Sequence, residues 1–131
     1  MDQDLIDKIT EFRRELGYPL YVTSGFRDGD GSSQHHSGKA VDVISPDFVK
    51  NRGLVDMYMI AEKYNFGGIG VYPHWKWRSQ KRGGLHLDVR NEEPGARWMG
   101  VRVDEHDPLN DAQKYIALDV FNLVKYRLIL C

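Results

Sequence analysis

Two short stretches hold the residue types best suited to chemistry. The first reads Ser33-Gln34-His35-His36-Ser37-Gly38-Lys39-Ala40-Val41-Asp42, and the second Leu85-His86-Leu87-Asp88-Val89-Arg90. On a strand, Asp42 points away from Val41 and Val43, so the valines can enter a core while the carboxylate faces a cleft. Gly38 permits a turn tight enough to bring His35 beside Asp42. In the second stretch Leu85, Leu87 and Val89 alternate with His86 and Asp88, which project together from the other face. His35, Asp42 and His86 are therefore a candidate metal-ligand set. Two histidines and a carboxylate leave a fourth tetrahedral position for water, as in catalytic rather than structural zinc sites. Water acidified by zinc to a pKa of about 7 is a nucleophile at neutral pH. The same residues also fit a blander description, with unrelated surface histidines and an aspartate capping a turn.

The elements that must position these residues can be read from periodicity. Residues 4 to 16 place Leu5, Ile6, Ile9, Phe12 and Leu16 on one helical face, with Gly17 as the stop. Leu20–Thr23 reads as a short strand. The following SGFRDGDGSSQHHSG is a long loop, of a kind that in a small domain is functional or disordered. Lys39–Ile44 reads as a strand, about 53–65 as a helix, and Gly67–Tyr72 and Leu85–Val89 as two more strands. Between those two strands lies the basic, aromatic loop HWKWRSQKRGG, whose tryptophans the pattern leaves exposed. Asp111–Leu130 reads as a helix with an imperfect apolar face of Ile116, Val120, Phe121, Val124, Leu128 and Ile129.

The chain has 131 residues, room for one compact domain, and its 41% hydrophobic and 28% charged residues exclude disorder over most of its length. A formal net charge of -1 disfavours a polyanion-binding surface, so nucleic acid is not the expected partner. The single cysteine, Cys131, excludes an internal disulfide and a cysteine-rich metal knuckle. No stretch approaches the ~20 apolar residues of a membrane span, and the acidic start MDQDLIDKIT is unlike a secretory leader. A phage lysis or virion protein, or a chain trimmed of its leader, would reconcile that start with an extracellular substrate.

The order of these motifs carries a resemblance. S-x-H-x-x-G-x-A-x-D at Ser33–Asp42, then GGIGVYP at Gly67–Pro73 and LHLDVR at Leu85–Arg90, resembles the zinc D-alanyl-D-alanine carboxypeptidase family, which shares its fold with the hedgehog signalling domain. The family's S-G-[YF]-R element is matched by Ser24-Gly25-Phe26-Arg27, and Ala96-Arg97-Trp98 is similar to the segment that often closes these domains. The similarity covers roughly residues 1–99, leaving 100–131 as a C-terminal extension within the same compact unit, with a helix suited to self-association. It implies an α+β fold with a small antiparallel sheet, flanking helices and a zinc cleft.

The implied activity is that of a zinc peptidase on peptidoglycan stem peptides or cross-links. The implied ligands of one Zn2+ per chain are His35, Asp42 and His86. Arg27 matches the arginine that faces substrate, where a guanidinium can hold a carboxylate or steady an oxyanion. Several relatives carry a general base two or three positions before the third ligand, where this chain has Gly84 and Gly83. Asp88 is then the candidate base, or alternatively a carboxylate that orients a ligand histidine. Ser33, His36, His74, Trp75 and Trp77 are candidate substrate contacts. The competing reading is a non-catalytic, zinc-stabilised module that binds cell wall or a partner protein through loop 74–82.

Overall fold

The computed structural model describes residues 2–17, 20–24, 38–44, 51–77, 80–81, 83–91, 95–104, 106–107, 109–110 and 112–129. Helix α1, Gln3–Leu16, starts where the Asp2 side chain accepts the amide of Leu5 at 3.1 Å, satisfying one of the donors a helix start leaves open. It ends at Gly17, whose φ of 74° lets its amide donate back to the Arg13 carbonyl. The periodic residues Leu5, Phe12 and Leu16 are buried along its inner face. Helix α2, Asn51–Ala61, buries Leu54, Met57 and Ala61 beside it, and a 3-10 turn at Glu62–Tyr64 leads out.

These helices cover one face of a six-stranded sheet in the order β1-β2-β6-β3-β7-β8. The strands are β1 (Tyr21–Ser24), β2 (Ala40–Ile44), β3 (Gly68–Tyr72), β6 (Gly84–Asp88), β7 (Ala96–Arg102) and β8 (Gln113–Ile116). A separate ribbon pairs β4 (Lys76–Trp77) with β5 (Gln80–Lys81). Strand alternation sends Val41, Val43, Ile69, Val71, Leu85, Leu87, Met99 and Val101 into the core under the helices. The opposite face receives Asp42, His86, Asp88, Tyr72 and Trp98.

Two features depart from the expected architecture. The sheet is mixed rather than antiparallel, because β7 runs parallel to β3. Strand β6 already has β2 on one edge and β3 on the other, so the chain leaving β6 cannot pair beside it and instead extends the sheet along the outer edge of β3. Secondly, 111–130 is not one helix: it forms β8 and then a short helix α3, Val120–Lys125. The outer edge of β7 recruits Gln113–Ile116 as an antiparallel partner, and Asp119 restarts the chain as a helix by accepting the Asn122 amide at 2.8 Å. Ile116 and Leu128 still reach the core, whereas Val120 and Phe121 stay exposed. Strand β7 runs without a break through Met99 and Gly100. Among the described residues no helix is long and apolar enough to cross a membrane.

Candidate active site

The face of the sheet away from the helices carries a cleft of about 620 Å3, lined by Asp42, Tyr72, Trp75, His86, Arg90, Trp98, Gln113 and Tyr115. Register builds it. Asp42 on β2 is the cross-strand partner of His86 on β6, His86 that of Gly70 on β3, and Gly70 that of Trp98 on β7. The missing side chains of Gly70 and Gly68 on β3 clear the floor. A Cβ at Gly70 would sit 2.6 Å from the Trp98 indole, and one at Gly68 only 2.3 Å from the Asp88 carboxylate. Trp98 and Asp88 can therefore lie flat against the sheet.

His86 stands between two carboxylates. Its Nε2 lies 2.7 Å from Asp88 Oδ2 and its Nδ1 lies 3.2 Å from Asp42 Oδ1. A carboxylate only accepts, so Nε2–H donates to Asp88. Nδ1 and the Asp42 oxygen attract each other only with a proton or another cation between them. Burial opposes the charged ring, but the bonds to Asp42 and Asp88 outweigh it and raise the His86 pKa. Asp88 has no exposed surface. It accepts from Arg90 through the backbone amide (3.1 Å), Nε (2.9 Å) and Nη2 (2.7 Å). Burial alone would raise its pKa, yet His86 and Arg90 together pull it down to about 2.

Along the cleft wall, Tyr72 stacks on Trp75 with ring centroids 4.1 Å apart, and its hydroxyl accepts from Trp98 Nε1 at 2.9 Å. Burial pushes the Tyr72 phenol up to about 12, so it is neutral at ordinary pH. Tyr115 and Gln113 on β8 stand opposite Gly100 and Arg102 and close the far side.

The family model described as Peptidase M15 matches residues 1–78, which is 78 of the 131 residues. The chain belongs to the peptidase M15 family. No curated protein matches it. The matched span contains Asp42 and stops before β6; the pairing of β6 with β2 brings His86 opposite Asp42.

The donors present can be tested against the metal that M15 peptidases use. Two ligands at about 2.0–2.2 Å in a tetrahedral shell lie roughly 3.3–3.6 Å apart. The 3.2 Å between Asp42 Oδ1 and His86 Nδ1 lies at the short end of that spacing, and a proton on Nε2, donated to Asp88, leaves the Nδ1 lone pair turned toward Asp42. Among the described residues no group of three such side chains converges. The expected third ligand His35 lies outside the described residues, as do His36, Ser33, Arg27 and the side chain of Trp77. Strand β1 ends with Ser24 paired to Asp42 across a bulge.

The remaining expected contacts divide. Trp75 lines the cleft, but it is half-buried against Tyr72 rather than fully exposed. His74 is not among the lining residues of this cleft. It is buried, its Nδ1 accepts the Arg102 amide at 3.0 Å, and its ring meets Tyr126 edge-on. The lining residues not singled out from sequence are Tyr72, Arg90, Trp98, Gln113 and Tyr115. Tyr72 and Arg90 lie inside motifs; Tyr72 shares a strand face with Gly70, a signal that alternation carries, whereas Arg90 lies just past the end of β6. Gln113 and Tyr115 were hidden in a stretch that reads as helix.

Proposed function

We propose that this M15 peptidase is a zinc metallopeptidase that hydrolyses peptide bonds in peptidoglycan stem peptides or cross-links, with Asp42, His86 and His35 as the residues that hold the ion. The observation that carries the reading is the Asp42–His86 pair, two metal-competent donors 3.2 Å apart at the wall of a 620 Å3 cleft. Zinc bound there supplies Lewis-acid polarisation of the scissile carbonyl and makes water nucleophilic at neutral pH.

The chain's own residues then divide the remaining work. Asp88 holds the His86 ring through Nε2 instead of taking a proton. Support comes from its complete burial and from the Arg90 fork that occupies both its oxygens and holds Oδ2 against His86 Nε2. Arg27, by its motif, steadies the oxyanion or a substrate carboxylate. Tyr72, Trp75 and Trp98 offer an apolar wall with hydrogen-bonding edges, the amphipathic surface aromatic side chains provide.

Metal analysis and muropeptide digestion followed by mass spectrometry test the reading together. The parent should carry about one zinc per chain, and His86→Ala and Asp42→Ala should each lose it, because two remaining ligands hold zinc poorly. Full zinc occupancy in His86→Ala would sink the ligand assignment. A zinc-loaded parent that leaves every muropeptide intact would replace the peptidase with the wall-binding module.

A further inference from the structure

Arg90 touches both halves of the cleft. Its guanidinium contacts both oxygens of Asp88, with Nε at 2.9 and 3.0 Å and Nη2 at 2.7 Å, while its backbone amide adds a bond of 3.1 Å to Oδ1. A carboxylate held by a planar fork cannot turn about its own axis. Asp88 Oδ2 therefore meets His86 Nε2 in a fixed direction, and the imidazole plane is set from behind. The same guanidinium lies 5.2 Å over the Trp98 ring, a distance at which cation and ring attract. Trp98 in turn lies 5.2 Å from the His86 ring and donates to the Tyr72 hydroxyl.

We infer that Arg90 is a positioning residue that locks Asp88, and through it the metal-ligating nitrogen of His86, to the aromatic wall formed by Trp98 and Tyr72. The inference rests on the zinc reading. Arg97 supplies an internal control on the opposite face of the sheet. It grips Glu62 with an equivalent fork, Nε and Nη2 each at 2.9 Å, but no ring of the cleft hangs from that pair.

The experiment compares Arg90→Lys with Arg97→Lys in the full chain, measuring zinc affinity by competition with a chromogenic chelator and melting temperature without metal. Lysine keeps the charge and loses the fork. Arg90→Lys should weaken zinc affinity by about 10–100-fold, the usual cost of losing an outer partner of a ligand histidine, with hydrolysis restored at saturating zinc. Arg97→Lys should lower the melting temperature and leave zinc affinity at the parent value. In the double variant Arg90→Lys/Asp88→Asn, affinity should fall no further than in Asp88→Asn alone, since both changes release the same ring.

Zinc affinity in Arg90→Lys equal to the parent's would overturn the inference while leaving the ligand assignment standing. Equal losses of affinity in both lysine variants, or additive losses in the double variant, would overturn it as well, showing general destabilisation or independent action. A parent that binds no zinc would remove the zinc reading and this inference together. Should Arg90→Lys fail to fold, Arg90→Gln with the same competition assay takes its place.

Discussion

The two faces of the sheet carry nearly the same polar device put to different uses. On the helix side, Arg97 forks onto Glu62, which also accepts the Tyr58 hydroxyl. On the cleft side, Arg90 forks onto Asp88, which accepts from His86. What differs is the third member. Burial, with the Glu62 bond added, pushes the Tyr58 phenol up to about 12, so it is chemically inert. Arg97 also caps the carbonyls of Phe66, Gly67 and Ala96, tying the turn after α2 to β3 and β7. His86 instead turns its second nitrogen to Asp42 and the cleft. An arginine–carboxylate fork is thus structural or functional according to what its third partner still faces.

The strongest way to break that contrast is Asp88→Asn. If Asp88 orients the ring, this nearly isosteric change should keep the fold, weaken zinc affinity by about 10–100-fold, and yield activity that added zinc recovers. If Asp88 takes the proton, zinc stays and hydrolysis falls by about 10²–10⁴-fold regardless of added metal. Activity measured against zinc concentration separates the two.

A smaller effect should come from Gly68→Ala. The new Cβ falls 2.3 Å from Asp88 Oδ2, and overpacking of this kind costs about 1–3 kcal/mol. On this face the clash should also reach zinc affinity, because Asp88 must shift. An unchanged melting temperature together with unchanged affinity would mean that the floor is not tight.

The smallest effect belongs to the helix side. Glu62→Gln should leave zinc affinity untouched and lower stability by no more than about 1 kcal/mol, since the pair is partly solvated. Its pH dependence has a definite sign. The Arg97 bonds hold Glu62 below its ordinary pKa against the opposing effect of burial. Its contribution is therefore complete above the unfolded value of about 4.3 and is lost as pH falls through the lower folded value. The gap in melting temperature between parent and Glu62→Gln should be widest near pH 6 and close on acidification. A gap that widened in acid would contradict the arginine pairing.

How much was legible in sequence follows from which forces decide each part. Strands β2 and β6 were readable because every second residue is apolar, and the same alternation placed Asp42 and His86 on one face. Arg90, two residues beyond Asp88 and past the end of β6, was not singled out, because a charged residue there reads first as solvated. Strand β8 was not readable. Tyr115 and Ile116 fit a strand as well as a helix, and the choice fell to the unfilled edge of β7, a partner at Ala96–Arg102 that no local window contains. His74 was a candidate contact because it opens the loop that leads to His86, yet the turn after β3 directs it to the Arg102 amide.

Because Gln113 and Tyr115 sit on the outermost strand, the cleft has a replaceable wall. Among the described residues strand β8 hydrogen-bonds only to β7 within the sheet, whereas Asp42 and His86 are carried by the interior pair β2 and β6. Exchanging a few residues at 113–116 would reshape the space beside Trp98 and leave that pair's ladder intact. Pocket shape and the geometry of the Asp42–His86 pair are thus encoded in separable stretches of chain, and one can be re-engineered without renegotiating the other.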